Sequence, residues 1–445
     1  MRARPEVFQR YDIRGEAPEE IDSELVFQLG KALGFYWDSG NILVGRDIRE
    51  SSPAFYNAMI SGLLSQGCDV TATGLATTDM TAYLARKDFD AAVQITASHM
   101  PPSYGGFKPI NSEGRILSNA EMAEIKKIYM REKASAESYG ELSEENLLGE
   151  YIEGLVSRYR ELFDKDLSGL EVIVDCSNSV GCLAAPDALR ELGAEVKVIN
   201  DSFDPDFSAH SPEPSEKSSE MLQEKVLEEE ADIGVIFDGD ADRVMFVDEN
   251  GNFVDGDTSL ALLSEKYLEV SEKIVASVNA GRTVKDTVES NDGEISYAPV
   301  GAVFTALKSL EENITFGGQP NGHLMDSEFV PYDSGSLFAL LVSGLISEKD
   351  ESFSEIIHDL EKYDTEKFNS SVEEKNDLML RIREKANARG LIIHEKFNAL
   401  KLDFEDFTAL LRPSGSEELI RVTLEGENIS EENISEVREF IADLE

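Results

Sequence analysis

The stretch Ile42-Leu-Val-Gly-Arg-Asp47 opens the pattern that decides the fold of this chain. It is short and apolar, which is typical of a buried strand, and residues 52–66 then carry apolar side chains at helical spacing up to Gly67. A second strand is predicted at residues 69–73. The order strand, helix, glycine, strand predicts a βαβ unit, whose two strands run parallel in one sheet.

The same pattern returns twice further along the chain. Residues 172–176 and 195–199 are apolar strands that flank a helical stretch at 183–192. A strand at 273–279, followed by helical spacing at 283–290, indicates a third unit. Repeated units of this kind predict mostly parallel sheets that are covered by helices on both faces.

The last part of the chain has a different pattern. A helix near residues 377–388 precedes several short strands, and another helix follows them. The predicted strands are 391–394, 399–404, 408–411 and 419–424. Helices beside consecutive strands are typical of an α+β domain. A charged stretch at 120–150, predicted to be helical, separates the first unit from the second.

The sequence therefore predicts a chain of the α/β class with four domains. Three α/β domains come first and a smaller α+β domain comes last. The predicted boundaries are 1–150, 151–255, 256–365 and 366–445.

The charge of the chain excludes several classes of partner. Its 445 residues carry 88 acidic against 41 basic side chains, a formal charge of −47. Nucleic acids and anionic membranes need clustered Lys and Arg, so neither is an expected partner. No apolar run reaches the roughly 20 residues that span a bilayer, and no secretory signal is recognised. We therefore expect a soluble, cytoplasmic protein that binds small molecules.

The acidic residues extend along the whole chain instead of forming one tail. This excess is greater than solubility alone requires. It suggests a halophilic protein in a salt-rich cytosol, where screening relieves the repulsion between carboxylates. The alternative is an ordinary acidic protein.

The first candidate segment is Thr96-Ala-Ser-His-Met-Pro-Pro-Ser-Tyr-Gly-Gly-Phe-Lys108, which follows an apolar strand at 91–95. Ser98 should therefore lie at the carboxyl end of a strand, where α/β sheets bind ligands. His99 and Lys108 flank the loop with groups that move protons or neutralise phosphate. Ser98 is a candidate nucleophile or phosphoryl carrier, although a serine that ends a strand in a turn is the commoner case.

The second candidate segment, Asp238-Gly-Asp-Ala-Asp-Arg243, follows an apolar strand at 233–237. Carboxylates at alternate positions converge where the backbone turns, and their oxygens suit Mg²⁺ or Ca²⁺. Glu249 at the twelfth position would fit an EF-hand, but Arg243 at the sixth position and the flanking strands do not. We predict a metal site with Arg243 as an anion clamp; an aspartyl nucleophile at Asp238 is the alternative.

Two further loops contain glycine and polar side chains. Phe316-Gly-Gly-Gln-Pro-Asn-Gly-His323 supplies amides, which suit sugar hydroxyls because an amide both donates and accepts hydrogen bonds. Arg412-Pro-Ser-Gly-Ser-Glu417, with Arg421 on the next predicted strand, joins hydroxyls and guanidinium groups. That combination predicts a phosphate-binding nest.

These four segments, in this order, resemble the motifs of the α-D-phosphohexomutase superfamily, which includes phosphoglucomutase, phosphomannomutase and phosphoglucosamine mutase. The family's serine loop reads T-A-S-H-N-P-P-x-x-N-G-F-K and its metal loop D-G-D-A-D-R. Its sugar loop reads G-E-x-S-G-H and its phosphate loop R-x-S-G-T-E-P. Tyr11-Asp-Ile-Arg-Gly15 also matches the family's opening motif. The resemblance covers nearly the whole chain and implies four domains around one cleft, the last similar to the TATA-binding-protein fold.

The resemblance implies a Mg²⁺-dependent isomerase, an intramolecular phosphotransferase that interconverts hexose 1-phosphate and hexose 6-phosphate. Ser98 would be a phosphoserine, and a hexose 1,6-bisphosphate would be the intermediate and activator. The implied metal site consists of Ser98, Asp238, Asp240 and Asp242. The implied transfer site consists of Arg14, His99, Lys108 and Arg243, with Lys108 or His99 as general acid or base. The implied substrate contacts are Gln319, Asn321, His323, Arg412, Ser414, Gly415, Ser416 and Arg421.

Met100, Gly105, Ser416 and Glu418 depart from the family's pattern in the serine and phosphate loops, and three further departures bear on the sugar. Gln319 stands for the usual Glu and Asn321 for the usual Ser of the sugar loop, and Ala302 stands where relatives often carry His or Asp. The hexose that is preferred therefore does not follow from the resemblance. Two other functions stay open at this point. One is a phosphatase or phosphotransferase acting on sugar phosphates, and the other is a relative that binds hexose phosphate without converting it.

Overall fold

The computed structural model describes residues 4–9, 12–131, 136–372, 374–414 and 418–443. Tyr11 of the opening motif and Gly415 and Ser416 of the predicted phosphate nest lie outside these residues. Within the described ranges, four β-sheets of six, five, four and five strands follow one another along the sequence. This order confirms the predicted fold class of three α/β units and a C-terminal α+β unit.

The first sheet contains the βαβ unit predicted from residue 42. Its elements are β1 Ile13–Glu16, α1 Ser23–Tyr36, β2 Asn41–Arg46, α2 Ser52–Leu64, β3 Asp69–Leu75, α3 Thr78–Asp88, β4 Ala91–Ile95, β5 Tyr104–Asn111, α4 Asn119–Tyr129 and β6 Leu142–Glu144. The strand order is β1-β5-β4-β2-β3-β6. Strand β2 runs parallel to β3 and β4, whereas β5 runs antiparallel to β4 and β1.

Two predictions about this part of the chain were wrong in part. The stretch 120–150 was predicted to be helical, which α4 confirms for residues 120–129, but the stretch also contains β6, which pairs with β3 in parallel. All of β6 is exposed, so this edge strand lacks the apolar alternation that would reveal it. The loop after Ser98 is also shorter than predicted. Lys108 lies within β5, opposite Gln94 of β4, because the glycines and Phe107 continue the sheet.

The second sheet contains the aspartate-rich segment in a hairpin. The elements of this unit are α5 Leu148–Leu162, β7 Glu171–Asp175, a short 3₁₀ helix Val180–Cys182, α6 Ala185–Glu191, β8 Glu195–Ile199, α7 Glu220–Glu229, β9 Ile233–Phe237, β10 Val244–Asp248 and β11 Phe253–Val254. Strand β7 runs parallel to β8 and β9. Strands β9 and β10 run antiparallel, so residues 238–243 form the turn between them.

The third sheet is built in the same way. Its elements are α8 Gly256–Leu268, β12 Lys273–Ser277, α9 Arg282–Ser290, β13 Glu294–Ala298, α10 Ala302–Glu312, β14 Phe316–Gly318, β15 Leu324–Asp326, α11 Gly335–Lys349 and α12 Phe353–His358. Strand β12 runs parallel to β13 and β14. Strands β14 and β15 run antiparallel and enclose the glycine-rich loop. The parallel pairs were predicted, but the antiparallel pairs in all three sheets were not.

The fourth sheet is antiparallel throughout its described pairs. Its elements are β16 Asp364–Ser371, α13 Lys375–Arg389, β17 Ile392–Lys396, β18 Ala399–Asp403, β19 Phe407–Pro413, β20 Leu419–Gly426 and α14 Glu431–Ala442. Strand β16 was not predicted. Most of its residues are exposed and polar, so its pairing with β20, rather than an apolar pattern, makes it a strand.

One buried apolar cluster runs through the first three sheets and their helices, and the fourth sheet has a separate cluster. Tyr83 of α3 stacks on Phe329 with ring centroids 4.6 Å apart, and Tyr151 of α5 packs beside both rings. Helix α11 is buried along most of its length. The loops of the three sheets are therefore held in fixed positions by a shared core. Among the helices in the described ranges, none has both the length and the apolar character that crossing a bilayer requires.

Helices α1 and α2 pack closely through two glycines. A Cβ atom at Gly62 would lie 2.3 Å from the carbonyl oxygen of Phe27, and one at Gly30 would lie 2.6 Å from that of Met59. Both distances are far below van der Waals contact, and the atoms that would clash belong to helix backbone. A side chain at either position would therefore push the two helices apart.

We expect Gly62→Ala to lower the free energy of unfolding by about 1–3 kcal/mol, because overpacking outweighs the roughly 1 kcal/mol of better helix propensity. Gly149→Ala in α5 is the matched control, since no described atom lies within 4 Å of its added Cβ. Urea unfolding followed by circular dichroism measures both variants. A Gly62→Ala protein as stable as the wild type would contradict the close packing of α1 on α2.

Candidate active site

The serine loop, residues 98–103, meets the aspartate loop, residues 238–243. The hydroxyl of Ser98 donates a hydrogen bond to Asp238 Oδ2 at 2.7 Å. A Cβ atom at Gly239 would lie 2.5 Å from the carbonyl oxygen of Ser98, so only glycine permits this approach. Ser98 itself has a φ of 51°, in the left-handed region that non-glycine residues adopt mainly where other contacts impose it. The two predicted segments thus form one site.

The aspartate loop carries a cluster of buried carboxylates. One oxygen each of Asp238, Asp240 and Asp242 lies within 4.8 Å of the others. The ammonium of Lys108 lies 2.6 Å from Asp240 Oδ2 and 2.5 Å from Asp242 Oδ2. Burial lowers the pKa of Lys108, but the surrounding carboxylates outweigh burial and raise it, so the side chain stays charged. Burial and the two neighbouring carboxylates raise the pKa of Asp238. One ammonium therefore faces three carboxyl groups.

The carboxylate cluster fits a divalent cation. Asp240 Oδ1 and Asp242 Oδ1 are buried and have no hydrogen-bond partner among the described residues. A buried, unpaired carboxylate oxygen is costly, whereas a hard cation such as Mg²⁺ takes oxygen ligands of this kind. The loop lies between two strands, β9 and β10, which excludes the EF-hand alternative.

Arg243 and His99 contact each other beside Ser98. The guanidinium of Arg243 contacts His99 Nδ1, and its Nε lies 3.7 Å from Asp238 Oδ2. His99 Nδ1 is 3.3 Å from Ser98 Oγ. Burial, together with the charges of Arg243 and Arg14, lowers the pKa of His99 to about 2. The imidazole is therefore neutral at physiological pH.

Arg14 lies on β1, opposite Gly106 of β5, on the strand pair that also carries Lys108. Its guanidinium donates to Asp12 Oδ2 at 2.6 Å. Burial lowers the pKa of Arg14, but the carboxylates of Asp12, Asp240 and Asp242 outweigh burial and raise it. Arg14 thus adds a positive charge to the surroundings of the carboxylate cluster.

The glycine-rich loop, residues 319–323, packs on the aspartate loop. The backbone amide of Val244 donates to the carbonyl of Gly322 at 3.1 Å, and Arg243 and His323 form a backbone bridge. His323 Nδ1 lies 2.8 Å from Asp333 Oδ2 and 3.9 Å from Asp242 Oδ1. The imidazole of His323 is therefore beside the carboxylate cluster.

Gln319 and Asn321 occupy different environments in the glycine-rich loop. Gln319 is buried, and its Oε1 accepts a hydrogen bond from the backbone amide of Gly301 at 3.0 Å. Gly301 immediately precedes Ala302, the first residue of α10. Asn321 is exposed. The two departures from the family's sugar loop thus differ: one side chain anchors the start of a helix and the other faces solvent.

The two arginines of the predicted phosphate nest lie in the fourth sheet. Arg412 of β19 and Arg421 of β20 are directly opposite each other, and the amide of Ser414 donates to Leu419 O at 2.9 Å. The structure thus brings the two arginines together, but it places them in a different sheet from the strands that flank Ser98. A contact with the third sheet positions β20: the amide of Arg282, at the start of α9, donates to Glu425 Oε1 at 2.5 Å.

Arg49 is a buried residue of the site that the sequence analysis missed. Its guanidinium donates to the carbonyl oxygens of the serine loop and of the residue after it, at 2.6–3.2 Å, namely those of Ser98, Met100, Pro101 and Tyr104. It also pairs with Asp47, with Nε 3.1 Å from Oδ2. Asp47 and Arg49 follow β2, which lies beside β4 in the sheet. Their position after a strand next to the serine strand was the signal that could have identified them.

Comparison with known proteins identifies the family. Sequence models of the phosphoglucomutase/phosphomannomutase alpha/beta/alpha domains I, II and III match residues 5–136, 149–251 and 255–363. The chain belongs to this family. The predicted phosphohexomutase resemblance is thereby confirmed, and so, at the level of the family, is the prediction of an intramolecular phosphotransferase.

Relatives match over nearly their whole length. A probable phosphoglucosamine mutase of Methanopyrus kandleri is 34% identical over 441 residues, covering 97% of this chain and 96% of the relative. A phosphoglucomutase/phosphomannomutase of Thermococcus kodakarensis is 33% identical over 451 residues, covering 98% and 97%.

Solved structures share the fold. A phosphoglucomutase/phosphomannomutase family protein from Burkholderia thailandensis superposes with a TM-score of 0.89 at 22% identity, covering 100% of this chain and 97% of that one. An N-acetylphosphoglucosamine mutase of Aspergillus fumigatus, solved in complex with GlcNAc-6P and magnesium, gives a TM-score of 0.65 at 15% identity and covers 100% and 96%.

We expect Arg49→Lys to speed amide hydrogen exchange at Met100 and Tyr104 about 10-fold or more. The Met100 amide donates to Ala97 O and the Tyr104 amide to Pro101 O, so each bond joins the serine loop to itself or to the residue next to it. A lysine cannot reach four carbonyls at once, and each unpaired buried carbonyl costs about 1–3 kcal/mol.

Arg115→Lys is the control for Arg49→Lys, because Arg115 pairs with both oxygens of Glu121 outside the serine loop. In the Arg115→Lys variant, amide hydrogen exchange at Met100 and Tyr104 should equal that of the wild type. If Arg49→Lys leaves exchange at these two amides unchanged, the guanidinium does not hold the loop.

Proposed function

We propose that this protein is a Mg²⁺-dependent phosphohexomutase that interconverts hexose 1-phosphate and hexose 6-phosphate through a phosphoserine at Ser98. The observation that carries the proposal is the hydrogen bond of 2.7 Å between Ser98 Oγ and Asp238. It lies at the edge of a buried carboxylate cluster in which two oxygens have no hydrogen-bond partner among the described residues. A serine hydroxyl beside a cation site and several basic side chains is suited to carrying a phosphoryl group.

In this proposal Asp238, Asp240 and Asp242 would hold Mg²⁺ together with the phosphate on Ser98. When bound, the metal offsets negative charge on the transferring phosphoryl group. Lys108, Arg14 and Arg243 add fixed positive charges around the same point. The proximity of Lys108 to two of the carboxylates and its raised pKa support this electrostatic role.

The Ser98 proton has a nearer acceptor than the two predicted acid–base residues. The hydroxyl donates to Asp238 Oδ2, whereas His99 Nδ1 is 3.3 Å away. Lys108 stays protonated and His99 stays neutral, because their pKa values lie on opposite sides of the physiological range. We therefore assign Lys108 to charge neutralisation and His99 to a neutral hydrogen-bond acceptor beside the serine.

The remaining predicted residues are assigned to the substrate. We propose that Gln319, Asn321 and His323 bind the sugar. We propose that the other phosphate is held by Arg412, Ser414, Gly415, Ser416 and Arg421. The cross-strand pairing of Arg412 with Arg421 supports this, because two guanidinium groups on neighbouring strands can grip one phosphate. A hexose 1,6-bisphosphate would be the intermediate, turning over between two transfers and leaving Ser98 phosphorylated again.

The candidate sugars come from the relatives. The Methanopyrus kandleri relative is named for phosphoglucosamine, and the Thermococcus kodakarensis relative for glucose and mannose phosphates. Glucosamine, glucose and mannose phosphates are therefore the substrates that we propose for this chain.

We expect the protein to convert at least one of these hexose 1-phosphates to its 6-phosphate without releasing free phosphate. The reaction contains Mg²⁺, high KCl and a catalytic amount of hexose 1,6-bisphosphate. ³¹P NMR distinguishes the three species. We expect Ser98→Ala to lower turnover by at least about 10³-fold, since no group remains to carry the phosphoryl. Alanine keeps the Cβ atom and the backbone geometry at this position, so the variant should fold.

Each other outcome of the NMR experiment favours a different function. Release of inorganic phosphate would favour the phosphatase. Binding of all three sugar phosphates without conversion would favour the non-catalytic relative. Turnover by Ser98→Ala near the wild-type rate would exclude the phosphoserine mechanism.

We expect Gln319→Glu to change the ranking of the three hexose phosphates by kcat/KM. The ratio of kcat/KM between the two best substrates should change by about 10-fold. A carboxylate can still accept the hydrogen bond from Gly301, but it cannot donate to a sugar hydroxyl as an amide does. Asn321→Asp makes the same amide-to-carboxylate change at an exposed position and serves as the comparison. An unchanged ranking in both variants would mean that this loop does not set the sugar preference.

A further inference from the structure

Asp240 presents its two carboxylate oxygens to different surroundings. Oδ2 accepts hydrogen bonds from Thr78 Oγ1 at 2.5 Å and from Lys108 Nζ at 2.6 Å. The backbone amide of Thr78 also donates to the carbonyl of Asp240 at 3.0 Å. Oδ1, by contrast, is buried and has no hydrogen-bond partner in the part of the chain that the structure describes.

Asp242 repeats this arrangement with a different donor. Its Oδ2 accepts from the hydroxyl of Tyr332 at 2.9 Å and from Lys108 Nζ at 2.5 Å. Its Oδ1 is buried and again lacks a hydrogen-bond partner within the described ranges. In both aspartates one oxygen receives two donors, and the other receives none from the residues that the structure describes.

We propose that Thr78 and Tyr332 are positioning residues that fix Asp240 and Asp242 so that each presents Oδ1 to the metal. This inference rests on the proposed function, which supplies the cation. A carboxylate held by Lys108 alone can rotate about its Cβ–Cγ bond and exchange its oxygens. A second donor on the same oxygen fixes the plane of the group, as outer hydrogen bonds commonly do for metal ligands.

The two positioning residues come from different units of the fold. Thr78 is the first residue of α3 beside the first sheet, whereas Tyr332 lies between β15 and α11 beside the third. Both hydroxyls are directed at a loop of the second sheet. The ring of Tyr332 also lies near Lys108, whose Nζ is 5.9 Å from the ring centroid. Metal affinity should therefore depend on the docking of all three units.

Thr78→Val and Tyr332→Phe test the proposal, because each removes one hydroxyl and keeps nearly the same shape. We expect each variant to raise the dissociation constant for Mg²⁺ and for Mn²⁺ about 10- to 100-fold. Isothermal titration calorimetry with Mg²⁺ and electron paramagnetic resonance with Mn²⁺ measure this on the full-length protein without substrate. Thr78→Ser keeps the donor and should bind both metals with the affinity of the wild type.

Two buried hydroxyls elsewhere provide matched controls. Thr81 donates to Gln94 Oε1 at 2.7 Å, and Tyr267 donates to Asp326 Oδ2 at 2.5 Å. Thr81→Val and Tyr267→Phe should therefore leave the dissociation constants of both metals within about twofold of the wild type. Thermal unfolding of all variants without metal shows how much each substitution destabilises the fold.

The outcomes separate this inference from the proposed function. Wild-type protein that binds metal, with Thr78→Val and Tyr332→Phe binding equally well, would overturn the positioning role and leave the proposed mutase intact. Equal losses in the two controls would also overturn it, because general destabilisation would then explain the effect. Wild-type protein that binds neither Mg²⁺ nor Mn²⁺ would overturn the proposed metal requirement as well.

Discussion

Three carboxylates buried at one point are the constraint on which the rest of the structure depends. Removing such charges from water is costly unless cations and hydrogen bonds offset the loss. The loop between β9 and β10 of the second unit supplies the carboxylates. Lys108, Thr78 and Ser98 come from the first unit, and Tyr332 comes from the third. The site can therefore exist only where the three units pack against one another.

The shared core and the close approach of the loops satisfy that constraint. A continuous apolar cluster fixes the three sheets relative to one another, and Gly239 lets the aspartate loop reach the backbone at Ser98. Arg49 then determines the path of the serine loop by binding its carbonyl groups. The fourth sheet differs, since it has its own core and contacts the third sheet through polar groups such as Glu425. The serine loop and the carboxylate cluster thus lie beside the shared core, whereas Arg412 and Arg421 of the predicted phosphate nest belong to a separately packed unit.

Much of the fold follows from local patterns in the sequence. The βαβ unit from residue 42 and the strand at 233–237 were predicted because buried parallel strands are short apolar runs. Strands β6 and β16 were missed because they are exposed and polar, so only pairing with a neighbour defines them. Ser98 and the carboxylate cluster were recognised as motifs. Arg49, Thr78 and Tyr332 were not, since each is remote in sequence from the group it contacts.

The sequence by itself determined the family, the order of the four units and the residue types that carry the proposed chemistry, because these depend on runs of neighbouring residues. The salt-rich cytosol inferred from its charge stays a prediction. The tertiary structure alone decided which oxygens of Asp240 and Asp242 lack a partner among the described residues, that Lys108 is held as a cation, and that His99 is neutral. Those properties arise from burial and from contacts between distant segments, and no local pattern encodes the distance between two atoms of different sheets.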